Sequence, residues 1–78
     1  MARTLEVGSA EPVIRVLRCQ KTQRFFSRDG WSDDARRAEV FADEIDAVRA
    51  CVANNLEDIE LVIRMESSHV DLFCTALR

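Results

Sequence analysis

The chain has 78 residues, of which 47% are apolar and 32% charged, with only two Gly and one Pro and a formal net charge of −3. That mix is typical of a small globular domain and excludes a disordered or low-complexity chain or more than one sizeable core. The sequence pI near 5.0 also sets it apart from strongly basic nucleic-acid binders, whose domains often exceed about pI 9.

Residues 1–12 hold one Gly and the only Pro and no sustained periodicity. They are expected to form a flexible leader, with at most a short extended piece at Leu5-Glu6-Val7, and Pro12 opens a single domain over 13–78. The opening Met1-Ala2-Arg3-Thr4-Leu5 lacks the apolar core of a secretory signal. No run approaches the roughly 18–20 apolar residues that span a bilayer. Cys19, Cys51 and Cys74 are odd in number, far apart and set among apolar residues, which suits reduced, core-packed thiols. A cytoplasmic protein with no membrane association is expected.

Val13-Ile14-Arg15-Val16-Leu17-Arg18-Cys19 is short and rich in β-branched residues, and reads as a strand apolar on both faces. Gln20-Lys21-Thr22 is a plausible turn and Gln23–Ser27 a second strand, so the two form a hairpin. Asp29-Gly30 supplies the next turn. Ser32 then fits a helix N-cap, with Asp33 and Asp34 in a first turn where the helix dipole favours acids. Ala38, Phe41, Ile45, Val48 and Val52 recur at steps of 3 and 4 and read as the buried face of a helix. The pattern permits one helix from Ser32 to Asn55, or a short turn through Phe41 followed by a main helix from Asp43 to Asn54. Asn54-Asn55 is a credible stop.

Ile59, Leu61, Ile63 and Met65 alternate with Glu60, Val62 and Arg64, the signature of a half-buried strand. In 68–78, Val70, Phe73 and Leu77 have helical spacing while Val70, Leu72 and Cys74 would serve a strand; a short helix is favoured. A right-handed crossover from the second strand through the helix makes the second and third strands parallel, with the first between them and antiparallel to both. The expected fold is α+β: a three-stranded sheet of order 2-1-3 with one main helix on one face (ββαβ) and a short C-terminal segment. The other face of that sheet needs a cover, either the C-terminal segment or a second subunit.

Arg24-Phe25-Phe26-Ser27-Arg28-Asp29-Gly30-Trp31-Ser32-Asp33-Asp34, followed by Ala38-Glu39-Val40-Phe41 and Glu44-Ile45-Asp46-Ala47, resembles small ββαβ domains of bacterial and prophage genomes. In those domains a hairpin leads into a Trp, an Asp, an Ala-x-x-Phe, a helix and an alternating strand. The likeness covers about Val13 to Arg64 and rests on packing residues. It implies the fold and a break near Phe41, and it carries over no activity and no catalytic residue.

Charge is segregated along the chain. Arg15, Arg18, Lys21, Arg24 and Arg28 stand without an acid between Val13 and Arg28, whereas Asp29 to Glu66 holds eleven acids against four arginines. With Trp31, these five cations are the candidate partner surface. Arginines interleaved with Phe25, Phe26 and Trp31 could track phosphates while the rings stack on bases. The competing and favoured account pairs the cations with acids of the helix and third strand and uses Trp31 as a staple at the end of the core. His69 is the only histidine, no Cys/His spacing suits zinc, and there is no phosphate-cradling glycine loop. No catalytic, cofactor-binding or metal-binding residue is nominated. The expectation is a non-enzymatic protein-interaction or structural module, acting as a homodimer or on an unidentified protein partner; the alternative is a nucleic-acid-binding domain using the hairpin at 13–31.

Overall fold

The computed structural model describes residues 12–78; apart from Pro12, the expected leader lies outside the described residues. The chain runs β1 (Val13–Cys19), β2 (Phe25–Ser27), β3 (Gly30–Ser32), a 3-10 turn (Ala35–Arg37), α1 (Glu44–Ala53), β4 (Ile59–Met65) and β5 (Asp71–Ala76). The five strands form one antiparallel sheet of order β3-β2-β1-β4-β5. A three-stranded sheet is therefore incorrect: β2 and β4, expected as its edges, each gained a further neighbour.

The first addition is β3. Gly30 at φ 118° takes a conformation that a side chain would strain, and the Ser27 hydroxyl donates to Gly30 O at 2.6 Å. This tight turn sends the chain back along β2, pairing Phe26 with Trp31 and Phe25 with Ser32. Ser32 is thus a strand residue and not the expected N-cap of α1, although its hydroxyl still accepts from Asp34 N–H.

The second addition is β5, in the segment expected to be helical. His69 sits at φ 59° and its N–H donates to Met65 O at 3.0 Å, closing a turn after β4. Pairing then runs from Arg64↔Asp71 to Glu60↔Ala76, with a bulge between Ile63 and Arg64. The open edge of β4 supplies backbone partners along the whole segment, an advantage that the weak helical spacing of Val70, Phe73 and Leu77 does not match. The longest pairing is β1 with β4, in register from Val13↔Met65 to Cys19↔Ile59.

Between β3 and β4 the chain takes the interrupted option. Asp34 caps the 3-10 turn by accepting from Arg36 N–H, Phe41 makes an isolated bridge to Arg15, and Asp43 caps α1 by accepting from Asp46 N–H at 2.9 Å. Asn54 ends the helix and Asn55 follows at φ 52°, the left-handed position Asn tolerates. This break resets the helical phase. Ala38 and Phe41 leave the helix altogether, and α1 buries Ala47 and Cys51. Ile45, Val48 and Val52, expected to face the core, are exposed.

Both sheet faces are covered. Residues alternate in direction along a strand, so Leu17, Ile59 and Leu61 point to one face, where they pack with Phe41, Ala47 and Cys51. Val16 and Val62 point to the other, where they pack with Phe25, Ala38 and, at the margin, Ile14 and Ala35. The 3-10 segment packs on the second face, and the C-terminal segment, expected as a possible cover, instead joins the sheet as β5. Val62, assigned by alternation to the half-polar side of its strand, is fully buried beneath it.

Candidate functional site

The six residues of the hairpin surface do not form one patch. Arg15 and Arg18 are three apart in β1 and so project from opposite faces of the sheet. Arg15 Nε meets Glu44 at 2.7 Å, across the first turn of α1. Arg18, on the other face, bridges Glu60 at 2.7 Å and Asp71 at 3.0 Å with a side chain only 14% exposed. Lys21 pairs with Asp58 at 3.3 Å and Arg24 with Asp33 at 3.1 Å, both near the surface. Arg28 is exposed in the β2–β3 turn and makes no ion pair among the described residues. Trp31, 42% exposed, lies edge-on to Phe26 with ring centroids 5.9 Å apart.

These pairings shape the electrostatics. Burial opposes the charge of Arg18, but its hydrogen bonds to Glu60 and Asp71 outweigh that cost and hold its pKa above the ordinary value. The hydrogen bond from Arg15 lowers the pKa of the Glu44 carboxyl, with the helix N-terminus adding to the effect. A depressed carboxyl pKa contributes stability that is present above the unfolded pKa and is lost as pH falls through the folded one. Arg15→Gln is therefore expected to raise the Glu44 pKa towards its usual value, read by NMR titration of the side-chain carboxyl. Because Glu44 is exposed, the accompanying change in melting temperature is expected to be small.

An open pocket of about 380 Å³ sits where β1 and the hairpin end meet the loop after α1, lined by Cys19, Arg24, Trp31 and Leu56 among others. A hydrogen bond from Thr22 lowers the Cys19 thiol pKa. No histidine lines the pocket, and its arginine is paired with Asp33. The cysteines are not uniformly core-packed as expected: Cys51 is buried, Cys19 half-buried and Cys74 exposed, all as free thiols. Burial pushes the Cys51 thiol up. Among the described residues no cluster of His, Cys, Asp and Glu could hold a metal ion. No described helix is long and apolar enough to cross a membrane.

A second surface was not legible in the sequence. Ile45, Val48 and Val52 are 63%, 42% and 62% exposed, and Val70, Leu72 and Phe73 of the β5 hairpin are each a little over half exposed. The first group turns towards the sheet edge that carries the second. Glu44 lies by Arg15, and Cys51 by Leu17 and Ile59, so α1 runs in the direction of β1. Cys19 exchanges backbone bonds with Gln23 and Arg24, so the residues of β1 beneath the helix turn their peptide groups towards β2. Given the hand of L-residues and of the α-helix, this places the Ile45–Val48–Val52 stripe on the β5 side of α1. The available sequence signal was the small pair Ala47 and Cys51, four apart, which lets a helix approach a sheet closely.

Compared with protein families, curated proteins and solved structures, the chain has no match in any of the three.

Proposed function

We propose that this protein is a small, non-enzymatic protein-interaction or structural module that self-associates or docks on another protein. The observation that carries this reading is the apolar surface formed by the α1 stripe and the β5 hairpin. Six large apolar side chains more than two-fifths exposed, gathered on one side of so small a domain, are more than scattered surface hydrophobics require. The three free thiols fit a reducing, cytoplasmic setting. The likeness to bacterial and prophage ββαβ domains concerns packing residues and adds no activity.

Light scattering from micromolar to near-millimolar protein tests the reading. The mass is expected to rise above the monomer's 8.9 kDa with concentration, and a Val48→Lys/Val52→Lys variant is expected to remain monomeric with an unchanged circular dichroism spectrum. Both substituted side chains are already exposed, so each costs within about 0.5 kcal/mol of stability. A wild-type protein that stays monomeric throughout removes self-association from the reading.

Nucleic-acid binding by the hairpin at 13–31 is the alternative, favoured by the exposure of Arg28 and Trp31. It is weakened because four of the five cations hold protein acids and the β1 arginines lie on opposite faces. Fluorescence anisotropy with single-stranded oligonucleotides at low salt is expected to show no binding at tens of micromolar protein, where counterion release favours it most. Saturable, salt-sensitive binding would reinstate it.

A further inference from the structure

We infer that the partner on this apolar surface is a second copy of the chain, joined antiparallel along the free edge of β5 so that two five-stranded sheets become one of ten. The inference rests on the self-association reading above and specifies its interface.

The two edges of the sheet differ. The β3 edge is three residues long, starts at Gly30 and follows Arg28-Asp29, features that blunt an edge against pairing. The β5 edge spans Asp71–Ala76, and Leu72 to Leu77 contains no charge, no Gly and no Pro. Asp71 is turned inward, held by Arg18 and Arg64 of its own sheet at 3.0 and 2.9 Å. The inward Asp71 and the bulge beside it, both features that protect an edge, are confined to the start of the strand, and Phe73 to Ala76 carries neither.

The backbone geometry suits a two-fold arrangement. Leu77 N–H donates to Ile59 O at 2.8 Å, which places the peptide groups of the odd-numbered residues towards β4. By alternation those of Cys74 and Ala76 point to the open edge. An antiparallel pair centred on Cys74 sets Cys74 against its own copy, Leu72 against Ala76 and Phe73 against Thr75, with no like charges opposed. Such pairing is isologous: it satisfies both edges at once and closes, whereas a head-to-tail contact would leave an edge free to propagate.

Pairing covers Leu72 and Phe73 of both copies, one on each face of the seam. Because α1 packs on β1 and β4, the two helices lie roughly 20 Å apart, about four strand spacings, and their stripes flank the seam on one face without meeting across it. A lone strand from another protein would satisfy one open edge; a second copy satisfies two.

Sedimentation equilibrium on wild type, Cys74→Arg, Phe73→Lys and Trp31→Ala, with circular dichroism on each, tests the inference. Cys74→Arg and Phe73→Lys are expected to weaken dimerisation at least tenfold while keeping the fold, and Trp31→Ala to change it less than twofold. If the edge variants dimerise like wild type while Trp31→Ala or the Val48→Lys/Val52→Lys variant does not, the β5 interface is wrong and self-association stands. A wild-type chain that is monomeric at every concentration overturns both. Should an edge variant misfold, a short bismaleimide cross-linker applied to wild type decides: peptide mapping is expected to join Cys74 to Cys74, and a Cys19–Cys19 product, or no cross-link in a dimeric sample, overturns the proposed pairing.

Discussion

Replacing Leu17 with alanine is expected to cost about 3–4 kcal/mol, within the usual range for a buried Leu. Leu17 is fully buried at the centre of β1, against Phe41, Ala47, Cys51, Ile59 and Leu61, and so ties helix, bridge and two strands to one point. The surroundings can collapse little into the void, because Phe41 and Ala47 are held from either end by the Arg15 bridge and the Asp43 cap. A domain this small has on the order of 5 kcal/mol or less to lose. The melting temperature should therefore fall by about 12–32 °C, at roughly 4–8 °C per kcal/mol for this size. Thermal denaturation followed by circular dichroism, at one protein concentration because association shifts the midpoint, checks the result. A loss below about 1 kcal/mol would mean that this cluster is not the packed centre of the fold.

Arg64→Ala is expected to destabilise by about 3 kcal/mol or more, whereas Arg64→Met should be neutral or mildly stabilising. The Arg64 side chain is 9% exposed; its Nη2 forms an ion pair with Asp71 Oδ1 at 2.9 Å and donates to His69 O at 2.8 Å. Its Nε and Nη1 are buried without an acceptor among the described residues, and its Cζ lies 5.0 Å from the centroid of the Phe25 ring. The ring face compensates part of the desolvation, but two unpaired buried N–H groups still carry a cost. Alanine removes the hydrogen bonds and the packing over Phe25 together. Methionine keeps most of the packing and removes the buried charge, while Asp71 retains Arg18. Urea denaturation of both variants separates the two contributions; equal losses would assign the stability to the guanidinium's bonds and not to its bulk.

The contrast between Arg64 and the hairpin arginines bears on the candidate surface. A strand residue's face follows from counting, so the separation of Arg15 from Arg18 was available in the sequence once both were placed in one strand. Their partners were less so. Glu44 could be anticipated as a helix acid, but Asp71 reaches Arg18 and Arg64 only because the last segment is a strand beside β4. A basic run in one dimension became a set of separate ion pairs in three.

By itself the sequence determined the elements whose signals are local. β1 and β4 occupy the residues their apolar patterns marked, because alternation and β-branching act within a few residues. The end of α1 followed from Asn54 and Asn55, whose left-handed tolerance satisfies the helix terminus without outside help, whereas its start was open in the sequence between Ser32 and Asp43. Tertiary structure alone decided the rest. β3 and β5 are short segments whose backbone groups are satisfied by neighbouring strands, so their identity depends on which edges are open. The rotation of α1 was likewise settled by contact: Ala47 and Cys51 fit closely over Leu17 and Ile59, and the bulkier Ile45, Val48 and Val52 turn outward. Hydrophobic periodicity marks which residues share a face, but the close-packed fit to the sheet selects which face is buried. That choice left the apolar stripe on the outside, on the side of the helix nearer β5.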